Sequence, residues 1–97
     1  MGAYPSLGKN MFYVYVLRSK SDGKLYIGYA SDLRKRISEH NNGLVRATRS
    51  RVPLILVYYE AYVSEKDARR REKMLKSFSG SMVHLKRRIE YSLILSK

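Results

Sequence analysis

Two short strand patterns separated by a turn constrain the fold of this chain more than any other feature. The segment "MFYVYVLRS", residues 11–19, has the two-residue period of a β-strand. One face carries Phe12, Val14 and Val16, and the other carries Tyr13, Tyr15 and Leu17. "KSDGK" follows with the turn residues Asp22-Gly23, and "LYIGY" predicts a second strand. The pattern predicts a β-hairpin with Tyr15 and Tyr26 on adjacent strands.

The middle of the chain predicts a helix and then a strand. The segment "SDLRKRISEHNNG", residues 31–43, predicts a helix that Ser31 or Asp32 caps and that Asn-Asn-Gly ends. The segment "VPLILVYYEAYV" is almost continuously apolar. Because strands buried on both faces have such runs, it predicts a buried central strand that starts after Pro53.

The last third of the chain predicts two more helices. The first covers "SEKDARRREKMLKSF" and opens with the capping pattern Ser64-x-x-Asp67. Gly80 and Ser81 are expected to break it. The next helix covers "MVHLKRRIEYSLIL". Its apolar stripe consists of Met82, Leu85, Ile89 and Leu93.

The order β-β-α-β-α-α predicts an α+β fold, with a small, mostly antiparallel three-stranded sheet flanked by helices. The 97 residues correspond to one domain, and residues 11–97 are predicted to form it. Residues 1–10 have neither the basic region nor the apolar core of a signal peptide. Because Met11 resembles a natural start, they are interpreted as a tag remnant or a flexible arm.

The charge of the chain indicates a polyanionic partner. Lys and Arg number 20 against 8 Asp and Glu, which gives a net charge of +12 at neutral pH. So much charge on a small domain is self-repelling unless a polyanion neutralises it, and nucleic acid is the first candidate. An anionic membrane surface and a solvated basic surface with no partner are the alternatives.

Two absences in the sequence exclude classes of protein. The chain has no cysteine, which excludes disulfides and thiolate metal sites and fits a cytoplasmic location. It has no apolar run of about 18 residues, so no segment is expected to span a membrane. The sequence does not indicate an oligomeric state.

One carboxylate interrupts the apolar side of the second predicted helix. At about 100° per residue, four side chains form an apolar arc, and Glu72 lies at its edge. The arc consists of Ala68, Met74, Leu75 and Phe78. A carboxylate near a core is costly unless it is paired or bound to a cation. Turns or helix starts explain most other acids, so Glu72 is the best candidate metal ligand, with an ion pair to Lys76 as the alternative.

Arg36 and His40 form a second constellation, four residues apart on the first predicted helix. An arginine fork binds phosphate well, and a histidine can transfer protons near neutral pH. The alternative is a solvated arginine and a partly buried histidine near a helix end.

Tyrosine is frequent in this chain, with nine residues against two phenylalanines, which indicates hydroxyl groups at the edge of the core. Tyr15 and Tyr26 are the two candidates for chemistry. A tyrosine can act as a base only if nearby cations lower its pKa from about 10, and cations are abundant here. Ordinary sheet packing is the alternative, and it applies to most of the nine.

Taken together, these residues resemble the GIY-YIG nuclease superfamily. The resemblance rests on "YVY", "YIG" at 26–28, and then Arg36, His40 and Glu72 in that order. The continuation, with "EHNNG", "TR", "VPLILVYYE" and "ARRREKMLK", is similar to the small single-domain bacterial branch of the family.

Three features depart from the family pattern. Tyr13 stands where the first triplet has glycine, and Ala30 stands where a small polar residue is frequent. Many relatives have a supporting Asn on a later helix, and residues 73–97 contain none.

The resemblance implies an endonuclease that hydrolyses phosphodiester bonds in DNA. Tyr15 and Tyr26 would lie near the scissile phosphate, and Tyr15 would activate or position the attacking water. Arg36 would stabilise the charge that develops on the phosphoryl group, and His40 would assist proton movement. Glu72 would hold one divalent cation, Mg²⁺ or Mn²⁺.

Five basic residues are predicted to bind nucleic acid around this site. They are Arg46, Arg49 and Arg51 in "RATRSR", and Arg70 and Lys73 on the second predicted helix. The expected substrate is DNA, including branched or damaged structures of repair and recombination, and RNA is the alternative. Two other interpretations remain: a nucleic-acid-binding module without turnover, which the missing Asn favours, and a structural or interaction protein such as an RNA-associated accessory factor.

Overall fold

The structure, a computed structural model, describes residues 11–97. The interpretation of residues 1–10 lies outside the described residues. The regular elements are β1 (Phe12–Ser19), β2 (Leu25–Ala30), α1 (Leu33–Asn41), β3 (Leu54–Tyr62), α2 (Glu65–Ser77), α3 (Ser79–Arg88) and α4 (Glu90–Leu95). A short 3-10 turn at Arg49–Arg51 precedes β3. The predicted α+β class and the order β-β-α-β-α-α are confirmed, with the last predicted helix divided in two.

The three strands form one antiparallel sheet in the order β2-β1-β3. β1 is the central strand and is buried from Tyr13 to Leu17. The prediction that the strand after Pro53 is central and buried is wrong, because β3 forms an edge with Ile55 and Tyr59 exposed. An apolar run does not determine which strand is central, since that depends on pairing between distant segments.

The two faces of β1 pack against different helices, as its alternation predicts. Val14 and Val16 belong to a core with Ile27 and side chains from α2, α3 and the α3–α4 junction. Those side chains are Ala68, Leu75, Leu85 and Ile89. Tyr15 and Leu17 point to the opposite face, where α1 covers them. The side of the sheet that faces α1 carries the candidate site.

Local signals place the hairpin and α1 as predicted. Gly23 has a φ of +72°, which the turn needs and which side chains disfavour. The Asp32 carboxylate accepts a hydrogen bond from the Lys35 amide at 3.1 Å and caps α1. Tyr15 and Tyr26 lie on adjacent strands without being paired, because the partner of Tyr15 is Gly28.

The helix α2 turns a different face to the core from the one predicted. Ala68 and Leu75 are buried, but Met74 and Phe78 are exposed. Phe78 has an extended backbone, with φ −117° and ψ 111°, and ends the helix. The buried face is therefore rotated towards Glu72, whose side chain is only 19% exposed.

The boundaries between the last helices also differ from the prediction. The break after α2 falls at Phe78, and Gly80 and Ser81 lie in the first turn of α3. A second break at Ile89 separates α3 from α4, although the apolar stripe of this segment packs on the core as predicted. Among residues 11–97, no helix is both long and apolar enough to cross a bilayer.

Candidate active site

The five residues predicted to be catalytic come from four elements, and the structure brings them together. The rings of Tyr15 and Tyr26 have centroids 6.5 Å apart. Both rings meet the His40 ring at a steep angle, with centroids at 5.6 and 5.2 Å. Arg36 lies one turn before His40 on α1. The charges of Arg36 and of Glu72 on α2 are both close enough to shift the pKa of Tyr15.

Two short hydrogen bonds hold His40 in one orientation. The Tyr15 hydroxyl lies 2.7 Å from His40 Nε2, and Thr48 Oγ1 lies 2.7 Å from His40 Nδ1. All three side chains are buried. A neutral imidazole donates through one nitrogen and accepts through the other. Because the Arg36 cation favours a Tyr15 hydrogen that points away from it, we assign Tyr15 as donor to Nε2 and His40 Nδ1–H as donor to Thr48.

Gly28 of the "YIG" triplet makes room for the Tyr15 ring. The two residues are direct partners across β1 and β2. A Cβ atom at position 28 would lie 2.3 Å from both Cζ and the hydroxyl oxygen of Tyr15. Tyr15 can therefore reach His40 only because residue 28 has no side chain.

The protonation states of Tyr15 and His40 follow from their burial. Burial raises the pKa of Tyr15 to about 12, against the opposing effect of the Arg36 guanidinium. The expectation that cations lower this pKa is therefore wrong for the free protein. Burial, and then the Arg36 charge, lower the pKa of His40 below its ordinary value. At neutral pH the site holds a neutral tyrosine beside a neutral imidazole, which is able to accept a proton.

Arg36 is a cation of the site, and it is more exposed than Tyr15 or His40. Its Nη1 lies 3.1 Å from Glu39 Oε1, in a pair that is partly open to solvent. Burial lowers the pKa of the Arg36 guanidinium, but Glu39 and Tyr15 outweigh burial and raise it. Arg36 is therefore always charged, and its fork can exchange Glu39 for an incoming anion.

Glu72 forms the ion pair with Lys76 that was the alternative interpretation, and it also lies close enough to Tyr15 to shift the pKa of that hydroxyl, so its role as a metal ligand stays a prediction. Lys76 Nζ is 2.9 Å from Glu72 Oε2 and 5.8 Å from the centroid of the Tyr26 ring. Within the described part of the chain, Oε1 of Glu72 has no hydrogen-bond partner. The carboxylate thus keeps one oxygen for a further cation.

The donor set is small for a preformed metal centre. Among residues 11–97, no three His, Cys, Asp or Glu side chains are grouped so that they could hold an ion. Mg²⁺, however, often uses one or two carboxylates and completes its shell with water and substrate phosphate. Glu72, with one uncommitted oxygen, fits a cation that binds together with the substrate.

The five predicted nucleic-acid-binding residues differ in how available they are. Arg46, Arg49 and Lys73 are exposed. Arg70 is exposed and pairs with Asp67 at 3.0 Å. Arg51 is partly buried and pairs with Asp22 at 2.7 Å, and this pairing lowers the pKa of Asp22 to about 2. Arg51 thus ties its loop to the β1–β2 turn, and the contribution of all five to nucleic-acid binding stays a prediction.

Three contributors to the site were missed by the sequence analysis. Gly28 belongs to the "YIG" motif and Thr48 to the "TR" motif. Their presence in these motifs was the only sequence feature that could have indicated a role for them. Lys76 was considered only as a partner for Glu72, because its approach to Tyr26 depends on how α2 packs against β2. Thr48 lies eight residues from His40, in a loop without periodicity, so no pattern indicated their contact.

Thr48→Val is expected to release His40 without changing the shape of the core. The imidazole Nδ1–H then loses its acceptor while it stays buried, which costs about 1–3 kcal/mol of unfolding free energy. We expect ¹⁵N NMR of the imidazole to show a shift in tautomer, and Thr48→Ser to retain the wild-type spectrum. An unchanged tautomer and stability in the valine variant would show that Thr48 does not orient His40.

Comparison with known families decides where this arrangement belongs. A family model described as the GIY-YIG catalytic domain matches residues 11–90, which contain all five candidate catalytic residues. The chain belongs to the GIY-YIG family. The resemblance inferred from the ordered motifs is thus confirmed across most of the chain.

The chain is also similar to small bacterial proteins of the UPF0213 group. The chain is 46% identical over 68 residues to a UPF0213 protein of Staphylococcus saprophyticus, which covers 69% of this chain and 82% of the relative. It is 43% identical over 70 residues to a UPF0213 protein of Clostridium perfringens, covering 71% and 74%. The solution NMR structure of a UPF0213 protein from Bacillus halodurans aligns with a TM-score of 0.50 and 38% identity, covering 78% and 85%.

Proposed function

We propose that this protein is a divalent-metal-dependent endonuclease that hydrolyses phosphodiester bonds in DNA. The observation that carries the proposal is the 2.7 Å contact between Tyr15 and a neutral, buried His40, with the Arg36 cation beside it. Hydrolysis of a phosphodiester needs a proton acceptor for the attacking water and a fixed cation for the phosphoryl charge. This site offers both within one turn of α1.

Arg36 supplies the charge stabilisation. The Arg36 side chain is more exposed than Tyr15, so an incoming phosphate would contact Arg36 first. A phosphate replacing Glu39 on the guanidinium would form two parallel hydrogen bonds, which position the phosphoryl group as well as neutralise it. Tyr26 is also less buried than Tyr15.

Tyr15 and His40 form the proton-accepting end of the site. The Tyr15 oxygen accepts the proton of the attacking water while its own proton passes to His40 Nε2. The imidazole ends this step as a cation, with its Nδ1–H still held by Thr48. With a pKa of about 12, Tyr15 is almost never ionised at neutral pH. Transfer of its proton to His40 therefore lets it accept a proton without forming a free tyrosinate.

Glu72 would hold the divalent cation. Mg²⁺ or Mn²⁺ held there would supply Lewis-acid stabilisation of the phosphoryl group. Lys76 binds Oε2 of the same carboxylate, so Oε1 would be the oxygen that holds the ion. We propose that the protein acts in the cytoplasm. Its proposed substrate is DNA, including the branched or damaged structures of repair and recombination.

A second candidate function is a nucleic-acid-binding module that keeps the fold without turnover. Two observations favour it: Lys76 neutralises Glu72 in the free protein, and residues 73–97 lack asparagine. Such a module would bind DNA or RNA through the same basic surface and would show no metal-dependent cleavage.

The test is a cleavage panel that includes the Arg36→Ala variant. Single-stranded, duplex, flap, fork and junction DNA, with matched RNA, are incubated with Mg²⁺, Mn²⁺ or EDTA. We expect metal-dependent cleavage of at least one DNA and a single-turnover rate about 10²-fold lower for Arg36→Ala, because one fixed charge stabiliser is lost.

Arg87→Ala is the matched control, since Arg87 is an exposed cation on α3 and its loss changes the net charge equally. Its cleavage rate should stay near that of the wild type. Equal rates for the Arg36 and Arg87 variants would remove Arg36 from the mechanism. Binding without cleavage on every substrate would select the non-catalytic module.

A further inference from the structure

A depression in the surface borders the first turns of α1, on residues outside the candidate active site. It is lined by Leu33 and Ile37 of α1 and by Tyr13, Leu56 and Tyr59 of the sheet, and its volume is about 620 Å³. Its lining is mostly apolar and aromatic, and none of these five residues belongs to the proposed catalytic set. The depression is large enough for a flat heterocycle.

Tyr59 offers an aromatic face in this depression. It lies on the edge strand β3 and is 52% exposed, unlike the buried Tyr13 beside it. The two rings form a T-shaped contact with centroids 5.9 Å apart and planes at 63°. Such a contact covers at most one face of the Tyr59 ring. An exposed aromatic face on a strongly basic protein is the kind of platform on which nucleobases stack.

Two polar side chains complete the depression. Asp32 and Arg34 both line it. Asp32 Oδ1 caps α1, and within the described residues Oδ2 makes no hydrogen bond, so it remains an acceptor for an amino group or a ring N–H. Arg34 is exposed and offers a donor for a phosphate or a base carbonyl. Acceptor, cation and aromatic face together match the chemistry of a nucleotide.

A path leads from the active site to this depression. A smaller depression of about 260 Å³ is lined by Arg36, Lys35 and Asp32. Asp32 lines both depressions, so they meet at the start of α1. A strand held at Arg36 can cross Lys35 and reach Arg34 around one helix, whose diameter with side chains is about 10–12 Å. That distance corresponds to a few nucleotides.

We propose that the depression at Tyr59 binds one unstacked nucleobase of a single-stranded segment close to the cleaved phosphate. The identity of the ligand as a nucleic acid rests on the proposed function. A paired base in a duplex is stacked on its neighbours and cannot enter, so the site would select flaps, forks, junctions or other unpaired regions over blunt duplex. The catalytic residues do not distinguish single-stranded from duplex DNA, whereas a base site at Tyr59 would.

The test measures binding in EDTA, so that it does not depend on cleavage. Single-stranded oligonucleotides carry the fluorescent base 2-aminopurine at one position each, in a series along the strand, and a labelled blunt duplex is the comparison. We expect quenching at a restricted set of positions. Tyr59→Ala should abolish this quenching and weaken single-strand binding by about 5–100-fold, while duplex binding changes less than about twofold.

Two further variants control for the loss of the tyrosine hydroxyl and for the loss of an exposed tyrosine elsewhere. Tyr59→Phe keeps the ring and should bind and quench as the wild type does. Tyr91→Ala removes an exposed tyrosine from α4, outside the depression, and should also match the wild type. Loss of quenching in Tyr59→Phe would contradict stacking as the mode of recognition.

The outcomes separate this inference from the proposed nuclease activity. If the strand binds but Tyr59→Ala is indistinguishable from wild type, the base site is overturned and the nuclease proposal stands. If Tyr59→Ala loses the quenching but no substrate is cleaved in the metal panel, the base site stands and the nuclease proposal fails. Failure to bind any oligonucleotide contradicts both.

Discussion

Replacing Glu72 with glutamine is expected to abolish cleavage, lowering the single-turnover rate at least about 10³-fold, because several kcal/mol of metal-ion charge stabilisation are lost. The neutral amide is a far weaker ligand for Mg²⁺ than a carboxylate. DNA affinity in EDTA should stay within about twofold, because the surrounding cations are unchanged. Single-turnover cleavage and fluorescence anisotropy on the same preparation measure the two effects separately.

The folded state should tolerate this substitution. The Glu72–Lys76 pair is partly exposed, and such pairs contribute roughly 0–1 kcal/mol to stability. Glu65→Gln is the matched control, since Glu65 also lies on α2 and pairs four residues on, with Arg69 at 3.2 Å. Wild-type cleavage by Glu72→Gln in purified metal would show that Glu72 is not the ligand.

Gly28→Ala is expected to disable the site by displacing Tyr15. The new methyl group would need the Tyr15 ring to move by about 1 Å or more, and a misplacement of that size can cost about 10² in rate. Loss of the Tyr15–His40 hydrogen bond adds to this, so we expect a rate at least about 10³-fold lower. Overpacking should also reduce the unfolding free energy by about 1–3 kcal/mol, measured by chemical denaturation.

The control for this substitution is Gly80→Ala. A Cβ at position 80 meets no atom within 4 Å, and Gly80 lies in α3, so alanine there should leave cleavage unchanged and stabilise the fold by about 0.5–1 kcal/mol. The double variant Gly28→Ala/Tyr15→Phe should cleave no more slowly than Gly28→Ala alone, because both changes remove the same hydroxyl from His40. Additive losses would mean that Gly28 acts by another route.

Much of the fold was predictable because its signals are local. The alternation in β1, the turn at Gly23 and the cap at Asp32 each depend on a few adjacent residues, and all three are confirmed. The identity of the central strand was not predictable in this way. β3 has the more apolar sequence, yet β1 has two hydrogen-bonded neighbours, and pairing between distant segments decides burial.

In the candidate site, too, local spacing was predictable from the sequence, whereas contacts between distant elements were not. Arg36 and His40 could be paired from their spacing, because four residues on a helix fix a common face. The contact between His40 and Thr48 depends on a loop that closes over α1, which no period reveals. Nothing in the sequence indicates a partner for Glu60, and in the structure its carboxylate joins β3 to α2 by accepting hydrogen bonds from Arg71, the shorter two at 3.0 Å. Partners of this kind become visible only after the elements are packed.

The central position of β1 has a consequence for how the protein fluctuates. β1 pairs with β2 on one side and with β3 on the other, and Tyr15 lies within both pairings. We therefore expect hydrogen exchange of its backbone amides to require opening of the whole domain. Arg36 lies on α1, a helix of nine residues at the outside of the sheet, which we expect to open locally at a lower free energy. Tyr15, the proposed proton acceptor, is therefore held by the global stability of the fold, while Arg36, the proposed phosphate ligand, is expected to retain freedom to adjust.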